Sequence, residues 1–167
     1  MTDFRALLEA LARAGVRFIL VRGAAATAHG SARLTQDLDV VYDRSPENLR
    51  RLVTALASLD PYLRGAPPGL PFAWDEATLR HGLNFTLTTK LGDLDLLGEI
   101  VGGGGYAELI PHTVELQLFG SATSVLDLDK LIDVKRAAGR PKDLEAIAEL
   151  EIIRAEQGTL GGRTHGG

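Results

Sequence analysis

The stretch Thr35-Gln36-Asp37-Leu38-Asp39-Val40-Val41-Tyr42 restricts the folds open to this chain more than any other feature. Leu38 to Tyr42 reads as a β-strand, apolar and partly β-branched. Side chains alternate between the faces of a strand, so Asp37 and Asp39 point one way while Leu38 and Val40 enter a core. Two carboxylates on one strand face repel each other, and a divalent cation between them reverses the sign of that interaction; hard oxygen ligands suit magnesium. Taken alone, the Asp-x-Asp spacing is equally the solvent-facing side of a half-buried strand.

The rest of the chain supplies a mixed set of elements. Phe4, Leu7, Leu8 and Leu11 have the spacing of an amphipathic helix, and Gly15 stands where a glycine would stop it. Val16–Val21 reads as a short buried strand, and Gly23–Gly30 as a tight turn with a short small-residue helix. Ser45-Pro46 opens a helix carried by Leu49, Leu52, Val53 and Leu56. Pro61–Pro71 reads as a loop. Leu83–Thr89 and Asp93–Ile100 form two strands about the turn Lys90-Leu91-Gly92. Gly102–Gly105 reads as a flexible link, since it lacks the lysine and hydroxyl of a phosphate loop. Val114–Phe119 and Ser121–Val125 are further strands. Asp127 caps a helix ending at Gly139, and Pro141 opens a last helix to about Glu156. Clean βαβ alternation is missing, so the pattern predicts an α+β fold with a mixed, twisted sheet and helices largely on one side. Residues 1–157 are expected to form a single domain and 158–167 a disordered tail.

A third acid extends the Asp37–Asp39 pair. Asp95 lies in Leu94-Asp95-Leu96-Leu97, where its apolar neighbours force it to the opposite face. Asp93 shares that face but adjoins Gly92 and reads as a turn or edge residue. The chain holds no cysteine, so thiolate metal sites and disulfides are excluded, and His29, His81, His112 and His165 are too scattered for a zinc site. His29 is read as structural. Phe72 and Trp74 are read as closing the core edge rather than stacking on a base. The net charge of −4 disfavours a general nucleic-acid coat. A local basic patch at Lys135, Arg136, Arg140 and Lys142 remains compatible with RNA contact. No apolar run approaches a bilayer span and no secretory leader is evident, which sets the expectation of a cytoplasmic protein with no membrane partner.

The combination is more specific than its parts. A strand ends near Gly23, a small-residue helix follows, and the two acids arrive fourteen and sixteen residues after that glycine. This resembles the nucleotidyltransferase superfamily that includes DNA polymerase β. The segments Arg22-Gly23-Ala24-Ala25-Ala26, His29-Gly30, Arg33 and Thr35-Gln36-Asp37-Leu38-Asp39 resemble its compact bacterial branch of AbiEii-type toxins. So does Lys135-Arg136-Ala137-Ala138-Gly139-Arg140-Pro141-Lys142-Asp143-Leu144. One departure is Ala24, where the superfamily often carries serine or glycine against the triphosphate.

The resemblance implies a polymerase β-like fold and an enzyme transferring a nucleoside monophosphate from an NTP, such as ATP or CTP, to an acceptor hydroxyl on RNA (tRNA, for example) or protein. It implies Asp37, Asp39 and Asp95 as ligands of two Mg2+ ions, with Mn2+ as a substitute, and Asp95 as acceptor of the hydroxyl proton. Lys135 and Asp143 join the catalytic set. Gly23, Ala24, Arg33, Thr35 and Lys142 are expected at the nucleotide, and a cognate antitoxin is an expected partner. Two alternatives stand beside this reading: a small-molecule nucleotidyltransferase of the aminoglycoside-modifying kind, and a silent nucleotide-binding or antitoxin-like interaction module.

Overall fold

The computed structural model describes residues 1–33 and 35–164. A seven-stranded mixed sheet forms its centre. Its strands are β1 (Phe18–Leu20), β2 (Asp37–Tyr42), β3 (Tyr62–Leu63), β4 (Phe85–Thr89) and β5 (Gly92–Leu97), then β8 (Thr113–Leu118) and β9 (Ser121–Leu126). They lie side by side as β3-β4-β5-β2-β1-β9-β8. Two further strands, β6 (Glu99–Ile100) and β7 (Gly104–Gly105), make a separate small ribbon. The helices are α1 (Phe4–Arg13), α2 (Arg22–Ala28), α3 (Pro46–Leu56), α4 (Glu76–His81), α5 (Tyr106–Leu109), α6 (Leu128–Ala138) and α7 (Pro141–Thr164). The fold class is α+β with a mixed sheet, as the missing βαβ alternation predicts. Among the described residues no helix is long and apolar enough to cross a membrane.

In the middle of the sheet both faces are covered. Leu38, Asp39, Val40, Val41 and Tyr42 are all buried, and so are Leu94 to Leu97. Consecutive strand residues face opposite ways, so burial of every one requires cover on both faces. These strands belong to one apolar cluster with Leu7 and Leu11 of α1, Leu49 and Leu52 of α3, and Leu131 and Ile132 of α6.

Capping fixes where the helices begin. Asp3, Ser45, Asp75 and Asp127 each accept from a backbone N–H in the first turn of α1, α3, α4 and α6. Gly139 ends α6 in the left-handed region, at φ +65°. Asn48, fully buried in α3, ties this helix to the sheet. Its Oδ1 accepts from Arg17 N–H at 2.7 Å, and its Nδ2 donates to the carbonyls of Arg17 (3.0 Å) and Asp43 (2.7 Å). The residues just before β1 and just after β2 are thereby held together.

Several boundaries differ from the sequence reading. Pro61–Pro71 contains β3, a two-residue strand on the sheet edge, too short to leave a periodicity. Gly102–Gly105 is not a free link: Gly104–Gly105 pair with Glu99–Ile100. A Cβ on Gly102 would stand 2.4 Å from that of Ala137, so this glycine permits close packing on α6. The last helix runs past Glu156 to Thr164, so the tail expected from Gly158 begins inside it; residues 165–167 lie outside the described residues.

Asn48→Ala removes three hydrogen bonds made by a fully buried side chain, leaving the Arg17 N–H and the Asp43 carbonyl without that partner while the Arg17 carbonyl keeps its bond from the Asp43 N–H. It is expected to lower the unfolding free energy by about 2–4 kcal/mol, measured by urea denaturation.

Candidate metal centre and its basic neighbour

β2 and β5 run parallel, in a register that sets Asp37 beside Asp93 and Asp39 beside Asp95. Parallel pairing puts registered residues on the same face, so one sheet face carries four aspartates. One carboxylate oxygen from each of Asp37, Asp39 and Asp95 lies within 4.8 Å of the others, close enough for a shared metal ion. Asp39 and Asp95 are 7% and 6% exposed, whereas Asp37 is half-buried. This donor set is hard, anionic and partly open, which fits a divalent cation of the magnesium class.

The electrostatics show how strongly the cluster wants positive charge. Burial pushes the Asp39 carboxyl up to about 8, and its hydrogen bond to Asp95 together with the charges of Asp95 and Asp37 push the same way. Arg22 opposes them. Without a cation, Asp39 therefore holds a proton near neutrality.

A residue that sequence reasoning missed supplies the rest of the charge. Arg64, directly after β3, extends its guanidinium across the acids. Its Nη2 donates to Asp95 Oδ1 at 2.8 Å and to the Leu87 carbonyl at 2.7 Å. Its Nε stands 3.5 Å from Asp93 Oδ1, and its Nη1 3.9 Å from Asp37 Oδ1. Burial works against the charge of Arg64, but Asp95, Asp93 and Asp37 outweigh it and hold the proton more firmly than usual. The role leaves no periodic signal in the sequence, because Arg64 follows a strand of two residues. Asp93, read as a turn residue, sits inside β5, paired with Asp37 on one side and Thr88 on the other.

Beside the acids opens a cavity of about 380 Å³. Arg22, Lys135 and Arg140 line it together with Asp143, against an apolar wall that includes Val101 and Leu131. Arg22, in that lining, directly follows Val21, whose N–H donates to the Asp39 carbonyl at 3.1 Å, and this links the cavity to the cluster. Arg22 opens α2 with a φ of +56°, a conformation that a non-glycine residue adopts at a cost of about 1–3 kcal/mol. Burial lowers the Lys135 ammonium, Arg140, Arg33 and Arg22 lower it further, and Asp143 alone resists. Asp143 is 3% exposed; it lies 4.0 Å from Lys135 Nζ and accepts from the Arg140 side chain at 3.0 Å and its backbone N–H at 3.2 Å. Burial raises this carboxyl, but the Arg140 hydrogen bonds and charge and the Lys135 charge bring it below the usual range.

The expected nucleotide-binding residues divide. Gly23 works by packing: a Cβ there would meet Thr35 Oγ1 at 2.9 Å. Thr35 in turn donates to the Asp37 carbonyl at 3.2 Å and so sets the start of β2. The Ala24 side chain is buried and lines a separate apolar cavity with Leu20, Leu38 and Phe119, where no charged side chain takes part among the described residues. Arg33 faces Glu145 (3.6 Å) and Glu149 (3.8 Å) of α7 instead of the basic cavity. Lys142 is exposed and outside the cavity lining, and no ion pair to it occurs among the described residues. Neighbouring Asp143 points inward; one position along the first turn of α7 separates the two environments. His29 donates from Nε2 to the Leu126 carbonyl at 2.8 Å, and Trp74 donates to the Val53 carbonyl at 3.2 Å, so both serve the fold.

In comparisons with known proteins, no family model matches the chain, and no curated protein gives a significant match.

The raised Asp39 carboxyl sets a pH dependence. Its folded pKa exceeds its unfolded value, so the folded protein binds the extra proton between roughly pH 4 and 8 and loses stability as pH rises through that window. In chelator, the unfolding free energy is expected to fall with a slope approaching about 1.4 kcal/mol per pH unit. Asp39→Asn flattens that slope in a denaturation series from pH 5 to 8.

Proposed function

We propose that this protein is a magnesium-dependent nucleotidyltransferase of the DNA polymerase β kind, akin to the compact AbiEii-type branch. It moves a nucleoside monophosphate from an NTP to a hydroxyl on RNA or protein. The observation that carries the reading is the adjacency of three converging aspartates and a basic cavity, joined where Arg22 of the cavity follows Val21, bonded to the Asp39 carbonyl. The seven-stranded mixed sheet agrees with a polymerase β-like core, and a toxin role with a cognate antitoxin follows from the same resemblance.

In this reading Asp37, Asp39 and Asp95 hold the cation or cations. Magnesium bound there would polarise the α-phosphate and neutralise charge on the attacking and leaving oxygens. The acceptor hydroxyl oxygen bonds to the α-phosphorus while the bond from that phosphorus to the β-phosphate bridging oxygen breaks, and pyrophosphate leaves. Asp95 takes the hydroxyl proton. Lys135, Arg140 and Arg22 bind the departing phosphates as charge-assisted donors. Asp143 fixes Lys135 and Arg140 from below, with its own charge buried between them.

Arg64 favours a second reading, a silent nucleotide-binding or interaction module, because a guanidinium already neutralises part of the cluster. Incubation with each labelled NTP and magnesium separates the two, using total RNA, tRNA, protein lysate and small hydroxylated acceptors. Transfer is expected to RNA or protein, lost on the order of a thousandfold in Asp39→Ala. Lys135→Ala is expected to raise KM for the NTP roughly tenfold. Transfer to small molecules alone would favour the aminoglycoside-type alternative. NTP binding with no transfer and no pyrophosphate release would favour the silent module.

A further inference from the structure

One acid and one guanidinium stand beside the three-oxygen group without belonging to it. Asp93 is not in the three-oxygen group, yet it shares its face, its register and its cation. Arg64 is spread over three carboxylates but makes its short contact with Asp95 alone. Its Nε is buried and finds no hydrogen-bond partner, with the Asp93 oxygen standing 3.5 Å away. An unpaired buried N–H is costly, and here an acceptor lies a few tenths of an ångström beyond bonding range.

We infer that Arg64 is an exchangeable counter-ion of the cluster: in the metal-free protein it is parked on Asp95, and when the three aspartates take a divalent cation it gives up Asp95 and closes onto Asp93. The inference rests on the reading that Asp37, Asp39 and Asp95 hold such a cation. A guanidinium donating to Asp95 Oδ1 at 2.8 Å and a divalent cation held by the same carboxylate would lie close enough to repel each other strongly. The guanidinium has somewhere to go. The bond from the Arg64 backbone N–H to the Thr86 carbonyl at 2.9 Å anchors its root to β4, and Nη2, which donates to both Asp95 and the Leu87 carbonyl, keeps the second bond as it leaves the first. A small rotation of its head then exchanges one carboxylate for its neighbour two residues along β5. The exchange keeps the acids assembled before the cation arrives and makes cation binding compete with an internal ion pair. Asp93 is the positioning residue that receives the displaced charge.

Mn2+ binding by electron paramagnetic resonance and calorimetry tests this on the full chain, without reference to turnover. Arg64→Gln removes the competitor and is expected to tighten Mn2+ about tenfold, the worth of one charge-assisted hydrogen bond. Asp93→Asn removes the second seat and is expected to weaken Mn2+ severalfold, with none of the three ligands altered. The Asp93→Asn effect is expected to vanish in the Arg64→Gln background, as coupled residues require. Arg64→Lys, which keeps the charge and loses the fork, falls between wild type and Arg64→Gln and guards against an Arg64→Gln chain that does not fold. Mn2+ bound by wild type but no more tightly by Arg64→Gln, or strictly additive effects of the two substitutions, would overturn the exchange while leaving the metal centre intact. No Mn2+ binding by any variant would overturn both. Tightening in Arg64→Gln with no nucleotidyl transfer by any variant would support the exchange and sink the enzyme.

Discussion

Mutual repulsion among carboxylates on one sheet face is the constraint on which the rest of the structure depends. Two unit charges separated by the 4.8 Å that bounds the three-aspartate group repel by about 3 kcal/mol at an effective dielectric constant of about 20. Three such pairs would cancel much of a stability of about 5–15 kcal/mol. The protein meets this with a proton on Asp39, the Arg64 guanidinium across Asp95, Asp93 and Asp37, and Arg22 near Asp39. The proton comes from solvent, and the two guanidinium groups come from different parts of the chain. A cluster stabilised this way is poised to accept a stronger cation.

The architecture serves that juxtaposition. Parallel pairing of β2 with β5 brings residues more than fifty positions apart into register, acid against acid. Leu38, Val40, Leu94 and Leu96 bury the opposite face, so a slip of one residue would drive the aspartates into the core. Asn48 clamps the far end of β2 and Thr35, seated over Gly23, sets its near end. The basic cavity depends on a turn as well: Gly139 stops α6 so that Lys135 on one helix meets Arg140 and Asp143 at the start of the next.

Much of this was legible in the sequence, and the remainder was hidden for physical reasons. Asp37, Asp39 and Asp95 could be read because alternation with leucine and valine fixes their direction, and the helix caps because Ser45-Pro46 and Asp127 are local signals. Arg64 was not legible. Its role arises from β3, a two-residue edge strand with no period, and from pairing with β4 across more than twenty residues. Asp93 was misjudged because Gly92 beside it suggested a turn, whereas Gly92, at φ +116°, begins the strand. Arg33 and Lys142 were expected at the nucleotide from the resemblance, but Glu145 and Glu149 on α7 draw Arg33 away, and helical geometry points Asp143 rather than Lys142 inward.

Anomalous scattering from crystals soaked in Mn2+ checks whether Asp37, Asp39 and Asp95 form one divalent-cation site. The expected result is a peak between those three carboxylates, with the guanidinium of Arg64 withdrawn from Asp95. Crystals saturated with Mn2+ that show no peak there, with Arg64 still bonded to Asp95, would contradict it.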